Sequence, residues 1–486
     1  LTWTNGSLGA TGIITIQSGS TVTFNATGNI ASCMGTINNA GTWNMEGGVM
    51  GQADGAQTGP KTFNNLPGGV LNLINWFSST PWRMVTNNQG TINKNSGTNQ
   101  FTFANTFGGN TFTNLPGGVV DLGLGNLAIS APAPVQSGTF NLATGTTLFI
   151  PDVNYTGPGI VNNGTIATGV FRFQGTTAQT IDGTGSFAFL AIDNATGVDL
   201  GGDQTVTNTL TLTNGQLRLH DHHLFVQSNT IAAVSGGSSA SWVATNGTGA
   251  LHRQVNGVNY RFPVGTTSYT PLLMNLASGP QERFSVRVQD GVSTEYDTPG
   301  EATGSTISSD VVGRTWIIGE QTPGGQTLNL AVDWNAAEEL TLFNRNACRV
   351  TYYDGTNWVP GTTAVASGSG PFTRSFLGLT NFRELCVSDT DADLNGISTD
   401  IADSANDALR LHPVPADDLL FIDLPEGSGM RGMLRFDANG REVMRHTLNL
   451  GGRRSISVQE LPPGLYTAML MDAEGTVLRQ RIVIAH

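Results

Sequence analysis

The stretch TFNNLPGGVLNL, residues 62–73, returns as TFTNLPGGVVDL, residues 111–122, with nine of its twelve positions identical. Apolar and polar residues alternate on either side of a Pro-Gly-Gly segment. Proline presets φ for a turn and glycine supplies the positive φ values that turns need. A catalytic loop is needed once, whereas a structural unit is needed many times. The duplication therefore predicts a strand–turn–strand unit that the fold repeats.

Related phrases recur between Leu1 and Ser235. They read GTINNAGTWNM from Gly35, GTINKNSGTNQFTF from Gly90, GTFNLATGTTLFI from Gly138 and GIVNNGTIATGVFRF from Gly159. Their spacing averages about 25 residues, which is the length of one coil in a β-solenoid. One coil cannot bury its own apolar face, but stacked coils bury each other's. We therefore predict a β-solenoid over residues 1–235, in which the distance between the two copies of the doubled phrase is two coils.

Asparagine recurs at the corners of these phrases. Identical amide side chains that stack along a fold can hydrogen bond from one layer to the next. The sequence predicts such a ladder from Asn38, Asn39, Asn64, Asn65, Asn114, Asn162 and Asn163.

The composition supports an all-β protein. Only 12% of the 486 residues are charged, against roughly 25% in typical domains, yet 38% are hydrophobic and supply a core. The net charge of −13 argues against a nucleic-acid partner. No apolar run approaches the roughly 20 residues of a membrane helix. The chain begins with Leu1 rather than Met, which is expected of a processed mature protein or of a fragment.

Three changes in composition and strand pattern along the chain predict further domains. Residues 236–388 have longer strands and more charge, which indicates one or more β-sandwich modules. Residues 389–410 are acidic and lack aromatic residues, as in a linker. Residues 411–486 carry eight Arg and nine Asp or Glu, and their alternating strands predict a small immunoglobulin-like sandwich with a hairpin turn at Asn439-Gly440.

Two resemblances follow from these phrases. Residues 1–235 resemble the repeat regions of large secreted surface proteins of Bacteroidetes bacteria, in which phrases such as LTLTNGQLRL (210–219) recur. Residues 411–486 resemble the type A C-terminal sorting domain of type IX secretion cargo. His412 stands where that family commonly has Asn, and the chain ends in Ala-His rather than near a Lys. The matching positions are Pro413, Pro415, Ala416, Asp418, Leu420, Asp437, Gly440, Leu461, Gly464, Tyr466 and Gly475.

The resemblance implies a cargo that crosses the bacterial outer membrane and resides on the cell surface or outside the cell. Its partners would be the type IX translocon and an outer-membrane shuttle protein, followed by surface lipopolysaccharide. The terminal strand is a further expected contact. The secretion machinery is expected to recognise the signal through Pro413, Pro415, Asp437, Gly440, Leu461, Gly464, Tyr466 and Gly475.

The predicted function is structural or adhesive, without catalysis. Polysaccharide-cleaving solenoids need paired carboxylates on one stacked face, and the sparse acids of residues 1–235 do not recur at the coil spacing with a basic partner. Two alternatives remain open. One is a solenoid that binds glycans or degrades polysaccharide, and the other is a subunit that stacks with copies of itself into a filament. The cluster His220-Asp221-His222-His223 is interpreted as an exposed corner rather than a metal site.

Two further features leave alternatives. Asp391, Asp393 and Asn395 occupy positions one, three and five of a calcium loop, with Asp389 beside them, but position twelve is Ala402 instead of Glu. The segment is either a Ca²⁺ site or a solvated acidic linker, and no other cofactor is expected. Cys348 and Cys386 lie in strand-like runs and form either a disulfide in an oxidising compartment or two separate buried thiols.

Overall fold

The computed structural model is all-β, and its described residues contain only three short 3-10 turns, Ile231–Ala233, Ala336–Glu338 and Arg345–Ala347. The structure describes residues 1–4, 12–32, 35–51, 61–74, 82–105, 109–133, 135–297, 300–395, 410–412, 415–424, 430–437, 441–447, 452–472 and 477–485. The chain divides into two compact units, Leu1–Ala392 and Asp393–His486.

The first part of the chain is a β-solenoid of about 11 turns. Its strands are β1 (Thr2–Trp3), β2 (Ile13–Ile16), β3 (Thr21–Ser32), β4 (Thr36–Asn39), β5 (Thr42–Gly51), β6 (Thr62–Asn65), β7 (Val70–Leu73), β8 (Trp82–Arg83), β9 (Val85–Asn88), β10 (Thr91–Lys94), β11 (Phe101–Phe103), β12 (Phe112–Asn114), β13 (Val119–Leu122), β14 (Asn126–Ile129), β15 (Val135–Gln136), β16 (Thr139–Leu142), β17 (Thr147–Ile150), β18 (Val153–Tyr155), β19 (Gly159–Asn162), β20 (Thr165–Phe173), β21 (Gln179–Asp182), β22 (Ser186–Asp193), β23 (Val198–Leu200), β24 (Gln204–Asn214), β25 (Leu217–Arg218), β26 (Leu224–Val226), β27 (Val234–Gly236) and β28 (Val243–Ala244).

Each coil brings its strands beside the equivalent strands of the coils before and after, always in parallel. Along one side, Val70 pairs with Thr91, and Thr91 pairs with Val119. The number of residues between paired positions of adjacent coils differs along the solenoid. It is smaller between Val198 and Leu217 than between Thr42 and Val70. The coils therefore vary in length around the predicted average.

The doubled phrase occupies one corner of the solenoid in two coils. Phe63 pairs with Thr86, and Thr86 pairs with Phe112. The two copies are therefore two coils apart, as predicted. The first half of the phrase is β6, the Pro-Gly-Gly segment is the corner, and the second half is β7.

The two glycines of this corner have different physical roles. Gly68 has a φ of 79° and open space around its Cα, so it is required for its left-handed backbone. Gly69 has an ordinary φ, but a Cβ there would clash with the carbonyl oxygen of Asn39 and lie 2.7 Å from Oδ1 of Asn65. The second glycine therefore lets adjacent coils approach each other.

We expect Gly69→Ala to destabilise the protein more than Gly68→Ala. A forced methyl against rigid backbone costs about 3 kcal/mol, whereas a left-handed alanine in open space costs about 1 kcal/mol. Urea unfolding of both variants, followed by circular dichroism, measures the difference. Equal midpoints for the two variants would contradict the assigned role of Gly69.

Large aromatic side chains fill the first coils. Trp43, Phe63 and Trp82 are at most 1% exposed. Their rings pack edge to face, with centroids 5.7 Å apart for Trp43 and Phe63 and 5.0 Å apart for Phe63 and Trp82. Such geometry adds to the burial energy of each ring. The strands alternate buried and half-buried residues, so this core continues from coil to coil.

The asparagine ladder is confirmed at the inner corner of four successive coils. Asn39 donates its side-chain N–H to Asn65, Asn65 to Asn88, and Asn88 to Asn114, each at 2.8 Å. All four side chains are at most 1% exposed. The ladder satisfies buried amides that would otherwise be costly.

Two outer ladders lie on half-buried positions. In the first, Asn64 donates to Asn38 at 2.8 Å, as predicted, and Asn87 donates to Asn64 at 2.9 Å. The second ladder, which the sequence reasoning missed, is formed by Asn44, Asn72 and Asn93.

The ladder prediction is wrong for two residues. Asn162 donates to Oε1 of Gln204 at 3.2 Å and to the carbonyl oxygen of Ser186. Asn163 accepts the backbone N–H of Thr184 at 3.0 Å. In the later coils buried asparagines pair with glutamines instead of with each other, as Asn194 does when it donates to Oε1 of Gln179 at 2.9 Å.

The solenoid passes into antiparallel sheets without a break in its core. Parallel pairing continues past residue 235, since Val243 pairs with Val264. The switch comes at β29, which pairs with β26 in parallel and with β33 antiparallel. The strands here are β29 (Leu251–Val255), β30 (Tyr260–Phe262), β31 (Val264–Gly265), β32 (Leu272–Ser278), β33 (Glu282–Asp290), β34 (Arg314–Glu320), β35 (Thr327–Trp334), β36 (Cys348–Tyr353), β37 (Trp358–Pro360), β38 (Phe372–Leu379) and β39 (Glu384–Asp389).

The antiparallel strands form two groups. Strands β30, β32, β35 and β38 make one sheet, whereas β33, β34, β39, β36 and β37 extend the solenoid sheet. Buried side chains of both groups belong to the same cluster as the solenoid core.

The second unit contains two antiparallel sheets. One has the order β40-β41-β44 and the other β43-β42-β45-β46. The strands are β40 (Arg410–His412), β41 (Leu419–Leu424), β42 (Met430–Asp437), β43 (Glu442–Thr447), β44 (Gly452–Ser457), β45 (Gly464–Asp472) and β46 (Val477–Ile484).

Candidate functional site

The C-terminal motif Leu-Pro-x-Gly-x-Tyr forms the corner that leads into β45. Leu461 and Tyr466 are 5% and 7% exposed and belong to the core of the second unit. The Tyr466 hydroxyl donates to the carbonyl oxygen of Pro462 at 2.7 Å, the contact that defines a tyrosine corner. These two side chains therefore hold the corner together from inside.

Gly464 is the first residue of β45. A Cβ there would meet only Cε2 of Tyr466 at 3.8 Å, which is an ordinary contact. No steric reason for glycine follows from the surroundings of this position.

The segment of residues 415–416, near the start of the predicted sorting motif, is hydrogen bonded to the last strand, β46. Pro415 is exposed, whereas Ala416 is fully buried. The N–H of Ala416 donates to the carbonyl oxygen of Val483 at 2.7 Å, and the N–H of Ala485 donates to that of Ala416 at 2.9 Å. This pairing holds the C-terminal end of β46, the edge strand of its sheet.

Of the other residues that the sequence predicts for recognition, the structure describes only Asp437. Asp437 is the last residue of β42, where its backbone faces Tyr466 of β45. Pro413, Gly440 and Gly475 lie outside the described residues.

The outer face of the last two strands carries an exposed apolar pair that the sequence reasoning missed. Leu465 and Val483 are cross-strand partners and are 48% and 37% exposed. The signal was available, because both residues alternate with the buried Tyr466 and Ile482 on strands of period two.

The second unit thus combines a buried tyrosine corner with two antiparallel sheets and a final strand that is hydrogen bonded at its end. Residues 410–485 match the secretion system C-terminal sorting domain family, and this part of the chain is a type IX sorting domain. No curated protein and no solved structure matches the chain. The sorting domain implies engagement with the type IX machinery and a surface or extracellular location.

The predicted calcium residues lie at the end of β39 and after it. Asp389 is fully buried, and its two carboxylate oxygens accept the backbone N–H groups of Asn344 at 2.8 Å and Asp391 at 2.9 Å. Burial raises the pKa of Asp389. These bonds give Asp389 a structural role, and a Ca²⁺ site formed with Asp391, Asp393 and Asn395 stays a prediction. Ala402 lies outside the described residues.

The histidine cluster forms a turn rather than a set of converging ligands. His220 has a φ of 51° and its Nε2 lies 2.8 Å from Oδ1 of Asp199, whereas Nδ1 of His223 lies 3.1 Å from Nε2 of His252. The cluster therefore divides between two different partners. Among the residues that the structure describes, no three His, Cys, Asp or Glu side chains are placed to hold a metal ion together.

Cys348 and Cys386 are two separate buried thiols. Strands β36 and β39 are antiparallel neighbours in which Cys348 faces Asp389 and Cys386 faces Thr351. The thiols are thus three positions apart, about 10 Å along the strand, and point to opposite faces. A disulfide needs Cα atoms within about 7 Å, so of the two alternatives this register excludes the disulfide. Both thiols are free.

No helix within the described ranges is long and apolar enough to cross a lipid bilayer.

Proposed function

We propose that the protein is a secreted cell-surface component whose role is structural or adhesive. The observation that carries this proposal is the combination, in one chain, of a type IX sorting domain and a solenoid of about 11 turns. Coils stack at about 4.8 Å, so the solenoid extends roughly 50 Å with a continuous core. Such a body suits a stalk or spacer that presents a surface away from the cell.

The proposal assigns no catalysis to the solenoid. Within the solenoid, Asp199 accepts two bonds from Arg218 at 2.7 and 2.8 Å, and this pairing lowers the pKa of Asp199. A carboxylate held in its ionised form by a guanidinium does not donate a proton at neutral pH. This local charge pairing favours a structural use of Asp199.

A polysaccharide depolymerisation assay tests this reading against the enzymatic alternative. The purified protein, incubated with a panel of neutral and acidic polysaccharides, is expected to release no new reducing ends. Turnover of any of these polymers would defeat the structural proposal.

For export, we propose that the Leu465–Val483 pair contacts the secretion machinery, either the translocon or its outer-membrane shuttle protein. The pair is apolar, exposed and on the outer face of the last two strands. The motif residues Leu461 and Tyr466 are buried and support this surface from within. After export, attachment to surface lipopolysaccharide is the proposed route of retention.

We expect the double variant Leu465→Ser, Val483→Ser to reach the cell surface about tenfold less than the wild type. Together the two substitutions remove apolar contact worth about 1.4 kcal/mol at an interface, which corresponds to about tenfold, while leaving the core intact. Leu419→Ser is the matched control, since Leu419 is 44% exposed on the other sheet. Equal delivery of the double variant and the control, measured by immunoblotting of surface fractions, would rule out this contact.

A further inference from the structure

A polar cavity of about 530 Å³ lies where the last parallel coils meet the first antiparallel strand. The successive strands β25, β28 and β31 run beside it, with Arg218, Ala244 and Gly265 in register. The end of β33 closes another side with Gln289 and Asp290. Its volume falls within the range of small-molecule sites.

The wall of this cavity is fixed by a buried threonine. The Thr245 hydroxyl donates to the carbonyl oxygen of Val288 at 2.8 Å and lies 2.9 Å from its N–H. Thr245 is 2% exposed. Both backbone groups of β33 at this point are therefore held against the last coil, so the cavity is preorganised.

The charged groups around the cavity already have partners within the protein. Arg218 is bound by Asp199, and Asp290 lies 3.1 Å from Nη1 of Arg314. Arg287 is 8% exposed and donates to carbonyl oxygens of the surrounding backbone. A charged ligand would have to compete with these contacts.

The neutral groups of the lining are the ones left to bind a ligand. Within the described residues, the side chains of Gln216 and Thr267 make no hydrogen bond, and both line the cavity. Asn246 accepts the N–H of His220 at 3.1 Å, which leaves a lone pair on its oxygen. The lining therefore offers amides and a hydroxyl, each able to donate and to accept.

We propose that this junction cavity binds an uncharged sugar residue of a glycan through its hydroxyl groups. Vicinal hydroxyls both donate and accept, as do the amides of Gln216 and Asn246 and the hydroxyl of Thr267. No aromatic residue is among those lining the cavity, so we expect weak binding of a single sugar, with a dissociation constant on the order of 1 mM. The inference rests on the proposed adhesive role and gives it a ligand class.

Saturation-transfer NMR on the purified full chain tests the proposal. The probes are D-glucose, D-galactose, D-mannose and N-acetyl-D-glucosamine, with D-galacturonate as the acidic comparison. At least one neutral sugar is expected to receive saturation, and Gln216→Ala is expected to weaken its binding about fivefold, the loss of one neutral hydrogen bond. Thr267→Trp, at an exposed position on the rim, is expected to abolish binding by filling the cavity.

Gln321→Ala is the matched control, because Gln321 is exposed and lies away from the cavity lining. It is expected to bind sugar as the wild type does. Absence of saturation transfer to every neutral sugar, unchanged binding by Thr267→Trp, or binding of galacturonate alone would each overturn the proposal. Binding is measured on purified protein, so its failure is distinguishable from a failure of export or surface display.

Discussion

Removal of residues 410–486 is expected to abolish delivery of the protein to the cell surface. The sorting domain is confined to residues 410–485, and the first unit ends at Ala392 with a core of its own. The truncated protein should therefore fold but lack its export signal. Fractionation of a type IX-competent bacterium, with an antibody against the solenoid, measures surface and periplasmic amounts.

The control for this truncation is its folding state. Limited proteolysis of the periplasmic fraction should give a resistant fragment of the first unit, which separates failed export from degradation. Normal surface amounts of the truncated protein would show that the sorting domain is dispensable here.

The second large effect is expected from Asn65→Ala in the inner ladder. Asn65 accepts from Asn39 and donates to Asn88 and to the carbonyl oxygens of Gly69 and Thr91. Alanine would leave one N–H of Asn39 and the side-chain oxygen of Asn88 without their ladder partner, each buried unsatisfied group costing about 1–3 kcal/mol, while Asn39 keeps its bond to the carbonyl oxygen of Val70. We expect a total loss of about 3–4 kcal/mol in the stability of the coils involved.

Asn64→Ala is the matched control, because it removes a neighbouring rung from a half-buried ladder. Water can replace its bonds to Asn38 and Asn87, so the expected loss is about 1 kcal/mol. Urea unfolding, followed by circular dichroism, compares the two variants with the wild type. A loss at Asn64 as large as that at Asn65 would contradict the importance assigned to burial.

The repeated phrase was sufficient to predict the solenoid, because each copy carries both its strands and its corner. The ladder followed for Asn39, Asn65 and Asn114, which stand directly before a corner. The ladder through Asn72 was missed because coils differ in length, so equal spacing does not reveal which asparagines are in register.

Long-range pairing limited the other predictions. The switch from parallel to antiparallel strands at β29 depends on the partner that β33 finds across the fold, which local sequence does not encode. The free thiols of Cys348 and Cys386 depend on the same kind of information, since a shift of register changes both their distance and their faces.

The sorting domain could be recognised from its motif, and the alternation around Leu465 and Val483 indicates that both are exposed, but it does not show that they face each other. The motif residues Leu461 and Tyr466 are buried, so they report how the corner is built. The exposed neighbours Leu465 and Val483 lie one position from buried core residues, and only the arrangement of strands shows that they are adjacent. The junction cavity likewise combines three coils and a distant strand.

We infer that the sorting domain carries this solenoid to the outside of the cell. The most direct measurement is protease digestion of intact type IX-competent cells that express the full chain, followed by immunoblotting for the solenoid. We expect the solenoid antigen to be digested or released while a periplasmic marker remains intact. Protection of the solenoid until the outer membrane is permeabilised would contradict it.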